Sequence, residues 1–436
     1  MSKALVEKFL QPAIKRGRIK LITASGESYD VGQPAQGYPE ITLRLTDNKV
    51  AADILRDARL GAGEAYMDGR IVIEEGDIME LAKLLRMNAS WEEGSDIMPP
   101  SFLNRLTESA RFILTSFNKA ASSRKNASHH YDIGNDLYKL MLDPDHMQYS
   151  CAYWPEGVDN LQDAQTAKLA HIASKLALEP GHKVLDIGCG WGGLAIYLAR
   201  HYDVTVHAIT LADEQLALAV ERAEEAGVAD RVTFELKDYR DLAAEGHKYD
   251  RIASIGMFEH VGRPQFETFF DCTRKLMTDD GVMLLHTMGR YGQPGHTDAF
   301  TLKYIFPGGY IPALSETLAA SEKSRLMHTD IETLRLHYPP TIRAWYDNCI
   351  KHKDAIIEMM DERFYRMWMF YLAGGATVME TGSMCVYQIQ YAMNRRTLPI
   401  TRGYMAEEEA RLQQPAQAPA SAFFEQESEF SPAAGN

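Results

Sequence analysis

Eleven consecutive residues limit the folds open to this chain more than any others: Val184-Leu185-Asp186-Ile187-Gly188-Cys189-Gly190-Trp191-Gly192-Gly193-Leu194. An apolar run ends in an acid, glycines alternate, and an apolar helix-like segment from Ala195 to Ala199 continues directly from them. A strand, a tight turn and a helix are the economical reading. Glycines lack Cβ, so the backbone there admits a ligand closely, and the helix start behind it offers free N–H groups. A turn that merely packs a helix on a sheet is the plainer alternative. The G-x-G-x-G spacing is neither the G-x-G-x-x-G of dinucleotide folds nor a phosphate loop ending in Lys-Ser/Thr.

From Leu161 onwards strand and helix patterns alternate. Strands are expected at Lys183 to Ile187, Val204 to Ile209, Val232 to Leu236, Tyr249 to Ile255 and Val282 to Met288, and helices at Asp163 to Leu176, Leu194 to His201, Glu214 to Ala226 and Pro264 to Met277. This predicts an α/β fold, a doubly wound parallel sheet with helices on both faces. Ligands in such sheets sit at the carboxyl ends of the strands. Between Gly289 and Lys323 the alternation gives way to an aromatic insertion with glycine hinges, long enough to wall or cover a site. Helices at Thr341 to Met360 and Glu362 to Thr377 and a closing strand at Met384 to Tyr391 follow.

At 436 residues the chain exceeds what one core organises, so a second unit is expected. Residues 1–98 read as a small mixed α/β unit, with strands at Ile41 to Leu45 and Arg70 to Ile73, a turn-rich Gly63 to Gly69, and a helix at Asp77 to Leu85. It holds no constellation of titratable groups, which suggests binding or assembly. Residues 99–128 form a linker and an amphipathic helix, Phe102 to Lys125, whose bases Arg105, Arg111, Lys119, Arg124 and Lys125 outnumber Glu108. Such a helix either docks its apolar face on the neighbouring domain or approaches anionic lipid. The catalytic unit spans 129–400, and the Ala-, Gln-, Glu- and Pro-rich tail, 401–436, is expected to be disordered from about Ala406. The net charge of −14 argues against nucleic acid. No apolar run reaches the length of a spanning helix, and five scattered cysteines fit a reducing cytoplasm.

Candidate site residues fall at the strand ends. After the second strand come Thr210, Leu211 and Gln215, where Thr210 and Gln215 serve either ligand hydroxyls or helix entry; after the third, Asp238 and Tyr239 could meet an adenine ring, or make a polar turn. The fourth runs into Glu259-His260, and a carboxylate and an imidazole at that place suit acid–base chemistry. His286 ends the fifth, where a lone histidine is either a satisfied core residue or a ligand-facing one. Ahead of the sheet, the stretch from His129 to Pro155 gathers Tyr131, Tyr149, Ser150 and Cys151. Its two histidines lack further ligands at metal spacing, so no metal is expected.

Asp186 with the glycine turn resembles motif I of S-adenosylmethionine (SAM) dependent methyltransferases, and the ordered set of motifs resembles the cyclopropane-fatty-acyl-phospholipid synthases and mycolic-acid cyclopropane synthases. These motifs are His130-Tyr131-Asp132-x-Gly134-Asn135, Tyr149-Ser150-Cys151-Ala152-Tyr153, the glycine turn, Thr210-Leu211 with Gln215, Phe258-Glu259-His260-Val261-Gly262, Ile305-Phe306-Pro307-Gly308-Gly309, His337-Tyr338-x-x-Thr341 and Trp345. The Gly63-x-Ala65-Tyr66-Met67-Asp68-Gly69 segment resembles the sterol-carrier-like N-terminal unit of some lipid-modifying methyltransferases. The resemblance implies a Rossmann-like class I SAM methyltransferase fold, methyl transfer to a cis double bond of a phospholipid acyl chain, and ring closure after proton loss to a bound bicarbonate. It gives SAM to Tyr131, Tyr149, Ser150, Asp186, Gly188, Cys189, Gly190, Thr210, Leu211, Gln215, Asp238 and Tyr239, and bicarbonate to Cys151, Glu259, His286, Met288 and Tyr338. Tyr153, Phe258, Tyr304 or Tyr310 would offer aromatic faces to the cation. Met288 stands where isoleucine is expected, and Gly375 where relatives often carry cysteine, which disfavours a cysteine nucleophile. The implied setting is cytoplasmic, peripheral to the inner face of the cell membrane, with a bilayer of unsaturated lipid as partner and a homodimer as a family expectation. A methyl-branched or methylene product, a small-molecule methyltransferase and a non-catalytic lipid-binding protein are the alternatives.

Overall fold

The computed structural model describes residues 10–94 and 134–412. Tyr131, the basic segment Phe102 to Lys125 and the tail beyond Leu412 lie outside the described residues. The larger unit carries a seven-stranded sheet in the order β10-β11-β9-β8-β5-β6-β7, made of β5 (Lys183–Ile187), β6 (Thr205–Thr210), β7 (Val232–Leu236), β8 (Tyr249–Ile255), β9 (Met277–Arg290), β10 (Met327–Thr333) and β11 (Met384–Ala392). Strands β5 to β9 run parallel, whereas β11 pairs antiparallel with β9 and β10 antiparallel with β11. The central strands are wholly buried apolar runs such as Val282 to Leu285, as a sheet covered on both faces requires.

The smaller unit has a four-stranded sheet, β2-β1-β3-β4, from β1 (Gly17–Ile22), β2 (Ser28–Gln33), β3 (Glu40–Leu45) and β4 (Ile71–Glu75). Its helix Ile78–Met87 packs on the long helix Glu362–Thr381, and Met67, Ile78 and Met79 belong to the same buried cluster as Tyr138, Trp345 and Trp368. The two units therefore share a core.

Several expectations need correction. Of the turn-rich stretch Gly63 to Gly69 only Asp68 and Gly69 form a turn: the helix Ala58–Met67 runs through Gly63, where a Cβ would stand 2.6 Å from the Phe300 ring, so the glycine serves close packing. The tail does not lose structure at Ala406. Helix Gly403–Leu412 packs on helix Leu161–Leu176, burying Met405 and Leu412. The predicted helix Thr341 to Met360 begins at Tyr338 and breaks into Tyr338–Lys351 and Lys353–Met359.

Candidate active site

β5 ends at Ile187 and the next helix begins at Gly193; between them Gly188 and Gly190 have φ of 83° and 54°. A Cβ at Gly188 would meet Met257 at 2.8 Å, while one at Gly190 would meet nothing within 4 Å. Gly190 is where the backbone borders open space. The turn forms one wall of a cleft that also takes in Tyr149, Ser150, Asp186, Cys189, Thr210, Leu211, Gln215, Asp238 and Tyr239. All the SAM candidates but Tyr131 therefore meet at the carboxyl ends of β5, β6 and β7.

Their existing partners refine the expectations. Thr210 Oγ1 donates to Gln215 Oε1 at 3.0 Å and accepts from the Ala212 N–H at 3.3 Å, so these side chains organise the entry of helix Asp213–Glu225 while also facing the cleft. The Asp238 carboxylate accepts from Arg240 Nε at 2.8 Å and from its terminal nitrogen at 2.6 Å, an ion pair the sequence did not reveal. Asp186 is buried, and burial pushes its carboxyl up to about 7 against the pull of Lys168. Its Oδ2 has no hydrogen-bond partner. Behind it lies Lys168, wholly buried, donating to Gln148 and, at 3.0 Å, to Ser150 Oγ; burial brings its ammonium down to about 7.

Of the remaining candidates, Glu259 lies just after β8 and His286 and Met288 inside β9; His286 does not end its strand as expected, because β9 continues to Arg290 alongside β11. Glu259 sits in the short turn Phe258–His260 directly after β8. Its Oε1 accepts the Met288 N–H at 2.6 Å, its Oε2 is buried without a partner, and burial pushes the carboxyl up to about 7. The Met288 amide, at a position given to bicarbonate by the resemblance, is thus taken up by Glu259. His260 is neutral, brought down to about 4 by burial, and stands edge-on to Phe306 at 5.5 Å. His286 Nδ1 lies 3.1 Å from Gln388 Nε2. Cys151 is buried with its thiol 3.3 Å from the Ala152 carbonyl, and burial drives its pKa upwards, so a thiolate nucleophile is disfavoured. Cys151 and Tyr338 share one apolar cluster, with Tyr149 and Met288 packed against it. Tyr149 meets Trp345 at 5.1 Å and Tyr138 at 5.2 Å, and its hydroxyl is 3.1 Å from that of Tyr371.

The aromatic faces considered for a cation already have neighbours of their own. Phe258 and Tyr310 belong to a separate apolar cluster with Phe266 and Phe269, Tyr153 stacks with both His171 and His337, and Tyr304 has Lys303 and Arg363 over its ring. Tyr149 lines the cleft and packs on the fully buried Tyr138 and Trp345. Sequence reasoning also missed Lys168, Lys175, Gln388 and Tyr371. One signal existed: Lys168 and Lys175 fall on the stripe of Leu161, Ala164 and Ile172, where a charge must be buried and paired.

A sheet of this order with a glycine turn at the end of its central strand has the class I SAM-dependent methyltransferase fold. The chain belongs to the mycolic acid cyclopropane synthetase family, whose family model matches residues 118–389, and it is a methyltransferase. The cyclopropane-fatty-acyl-phospholipid synthase of Escherichia coli (strain K12) is 37% identical over 396 residues, 90% of this chain and 97% of that protein. A probable fatty acid methyltransferase of Pseudomonas putida is 33% identical over 88% of this chain and 95% of its own length. The crystal structure of the mycolic acid cyclopropane synthase CmaA1, complexed with SAH and CTAB, matches with a TM-score of 0.58 at 31% identity, covering 62% of this chain and 98% of that one.

Proposed function

We propose that this methyltransferase cyclopropanates cis double bonds in phospholipid acyl chains. SAM occupies the cleft over Gly190, and the acyl chain approaches it on the side lined by Tyr149. The alkene attacks the sulfonium methyl, the C–S bond breaks to release S-adenosylhomocysteine, and a carbocation forms on the second alkene carbon. Loss of a proton from the new methyl group closes the ring. Water would capture the cation, so the buried apolar cluster around Tyr138, Tyr149, Trp345 and Tyr338 protects it.

The observation that carries this reading is the buried Glu259 carboxylate, anchored on one oxygen by Met288 and open on the other, beside the methyl-donor turn. With its pKa raised to about 7, Glu259 is partly protonated near neutrality and able to donate to an anion. Bicarbonate fits that donor set, with Glu259, His286, Tyr338 and Cys151 around it, and when bound it supplies the base for the methyl proton. Glu259 and His286 would orient it, and the hydroxyl of Tyr338 would donate to it.

Among the described residues no helix is long and apolar enough to cross a membrane. Access to lipid is assigned to the N-terminal unit, read as sterol-carrier-like, and to the basic segment Phe102 to Lys125, at the cytoplasmic face of the bilayer. Purified protein, SAM labelled in its methyl group and vesicles of unsaturated phospholipid test the proposal. Label must appear in the lipid, and mass spectrometry must show a ring; a product two hydrogens heavier is a methyl branch.

A further inference from the structure

His286 and Gln388 are cross-strand partners on β9 and β11, and both are buried. Gln388 Nε2 lies 3.1 Å from His286 Nδ1, and Gln388 Oε1 lies 2.7 Å from Lys175 Nζ. An ammonium only donates, so the amide oxygen is the atom that faces Lys175 and the NH2 group the one that faces His286. That group also only donates. Nδ1 is therefore the accepting nitrogen, and a neutral imidazole then carries its proton on Nε2, at the other edge of the ring. Burial and the nearby positive charges of Lys168, Lys175 and His171 hold His286 well below its ordinary pKa, which keeps it neutral.

Lys175 is itself fixed. It ion-pairs with Glu332, which also takes a contact of 2.7 Å from His171 Nε2, and His171 Nδ1 is 2.6 Å from Glu409 on the C-terminal helix. A continuous polar chain thus runs from Glu409 through His171, Glu332, Lys175 and Gln388 to His286. We infer that Lys175 and Gln388 are positioning residues that hold His286 as the Nε2–H tautomer, so that it presents a donor, not an acceptor, to an anion held by Glu259 and Tyr338. The inference rests on the role proposed above for His286.

Gln388→Glu tests it, because the side chain keeps its size and its pairing with Lys175 while the group facing Nδ1 becomes an acceptor that selects Nδ1–H. Turnover should fall about a hundredfold or more, within the range seen when a catalytic histidine is held in the wrong tautomer. SAM affinity should not change. Lys175→Arg, which keeps a cation, should retain more activity than Lys175→Met. In the full-length protein labelled with nitrogen-15 at histidine, the His286 signals, assigned by their loss in His286→Asn, should show an unprotonated Nδ1 in the wild type and an unprotonated Nε2 in Gln388→Glu. Nδ1–H in the wild type, or full turnover in Gln388→Glu, overturns the inference. A wild-type enzyme inactive on lipid would instead overturn the proposed function, and the spectrum would still decide the tautomer.

Discussion

In the proposed mechanism Glu259 is the residue to test first, because one of its oxygens accepts the Met288 N–H and the other has no hydrogen bond. Glu259→Ala should lower turnover by about 100-fold or more while leaving SAM binding near the wild-type level, since removing a group that acts in the chemical step costs kcat; turnover close to wild type would remove Glu259 from the mechanism. The same residue leaves a mark on stability. Its folded pKa, about 7, exceeds the ordinary 4.5, so the native state holds the extra proton in that window and stability falls as pH rises through it. Urea unfolding of the wild type minus that of Glu259→Gln should therefore decline by on the order of 1–3 kcal/mol across the window. A flat difference would show that the carboxyl is not desolvated. Gly190→Val tests the donor side: a φ of 54° and an open approach leave no comfortable place for a β-branched side chain, so SAM affinity measured by calorimetry should drop severely. The glycine turn was legible because backbone conformation is a local property, whereas His286, expected to end its strand, lies inside β9, which runs on to Arg290. Gln388 and Lys175 were not legible, since their meaning depends on partners more than a hundred residues away in β9 and β10.

At the scale of elements, the expected strands Lys183 to Ile187, Val232 to Leu236 and Tyr249 to Ile255 match β5, β7 and β8 residue for residue, because short segments rich in apolar and β-branched or aromatic residues recur between helical patterns. β10 escaped notice. Met-His-Thr-Asp-Ile-Glu-Thr lacks both a run and a clean alternation, and an edge strand with one neighbour, β11, needs neither. Helix Gly403–Leu412 was hidden by composition: Glu408 and Glu409 look like solvated charge but accept from Tyr202 and pair with His171. Burial pulls the His171 pKa down, yet Glu332 and Glu409 outweigh it and the net shift is upward. Glu409→Gln should then cost about 1–2 kcal/mol. Because the shift is upward, that loss is full below the ordinary 6.5 and fades as pH rises through the folded value. Thermal unfolding at several pH values checks this, and a loss that grows with pH would contradict the pairing.

For the molecule as a whole, the two units act on one another through the insertion. Glu64 of the smaller unit accepts from Lys303 Nζ at 2.6 Å and from the Tyr304 hydroxyl at 2.7 Å, and Arg363 reaches Asp68 at 2.8 Å. Gly63→Val would drive a side chain into Phe300 and should destabilise the protein by about 1–3 kcal/mol, the range for overpacking. Unchanged unfolding in urea would show that this contact is not close-packed. Length led to the expectation of a second unit, but no pattern in either half announced that the two cores fuse.

The order of the sheet also fixes when the site comes into being. Everything that lines the cleft over Gly190 has been synthesised by Val261, whereas Gln388 and Glu409 emerge near the end of translation. A ribosome-bound chain that already holds its methyl donor would still lack the polar chain that orients His286, so the half-made enzyme could take up SAM without directing it at lipid.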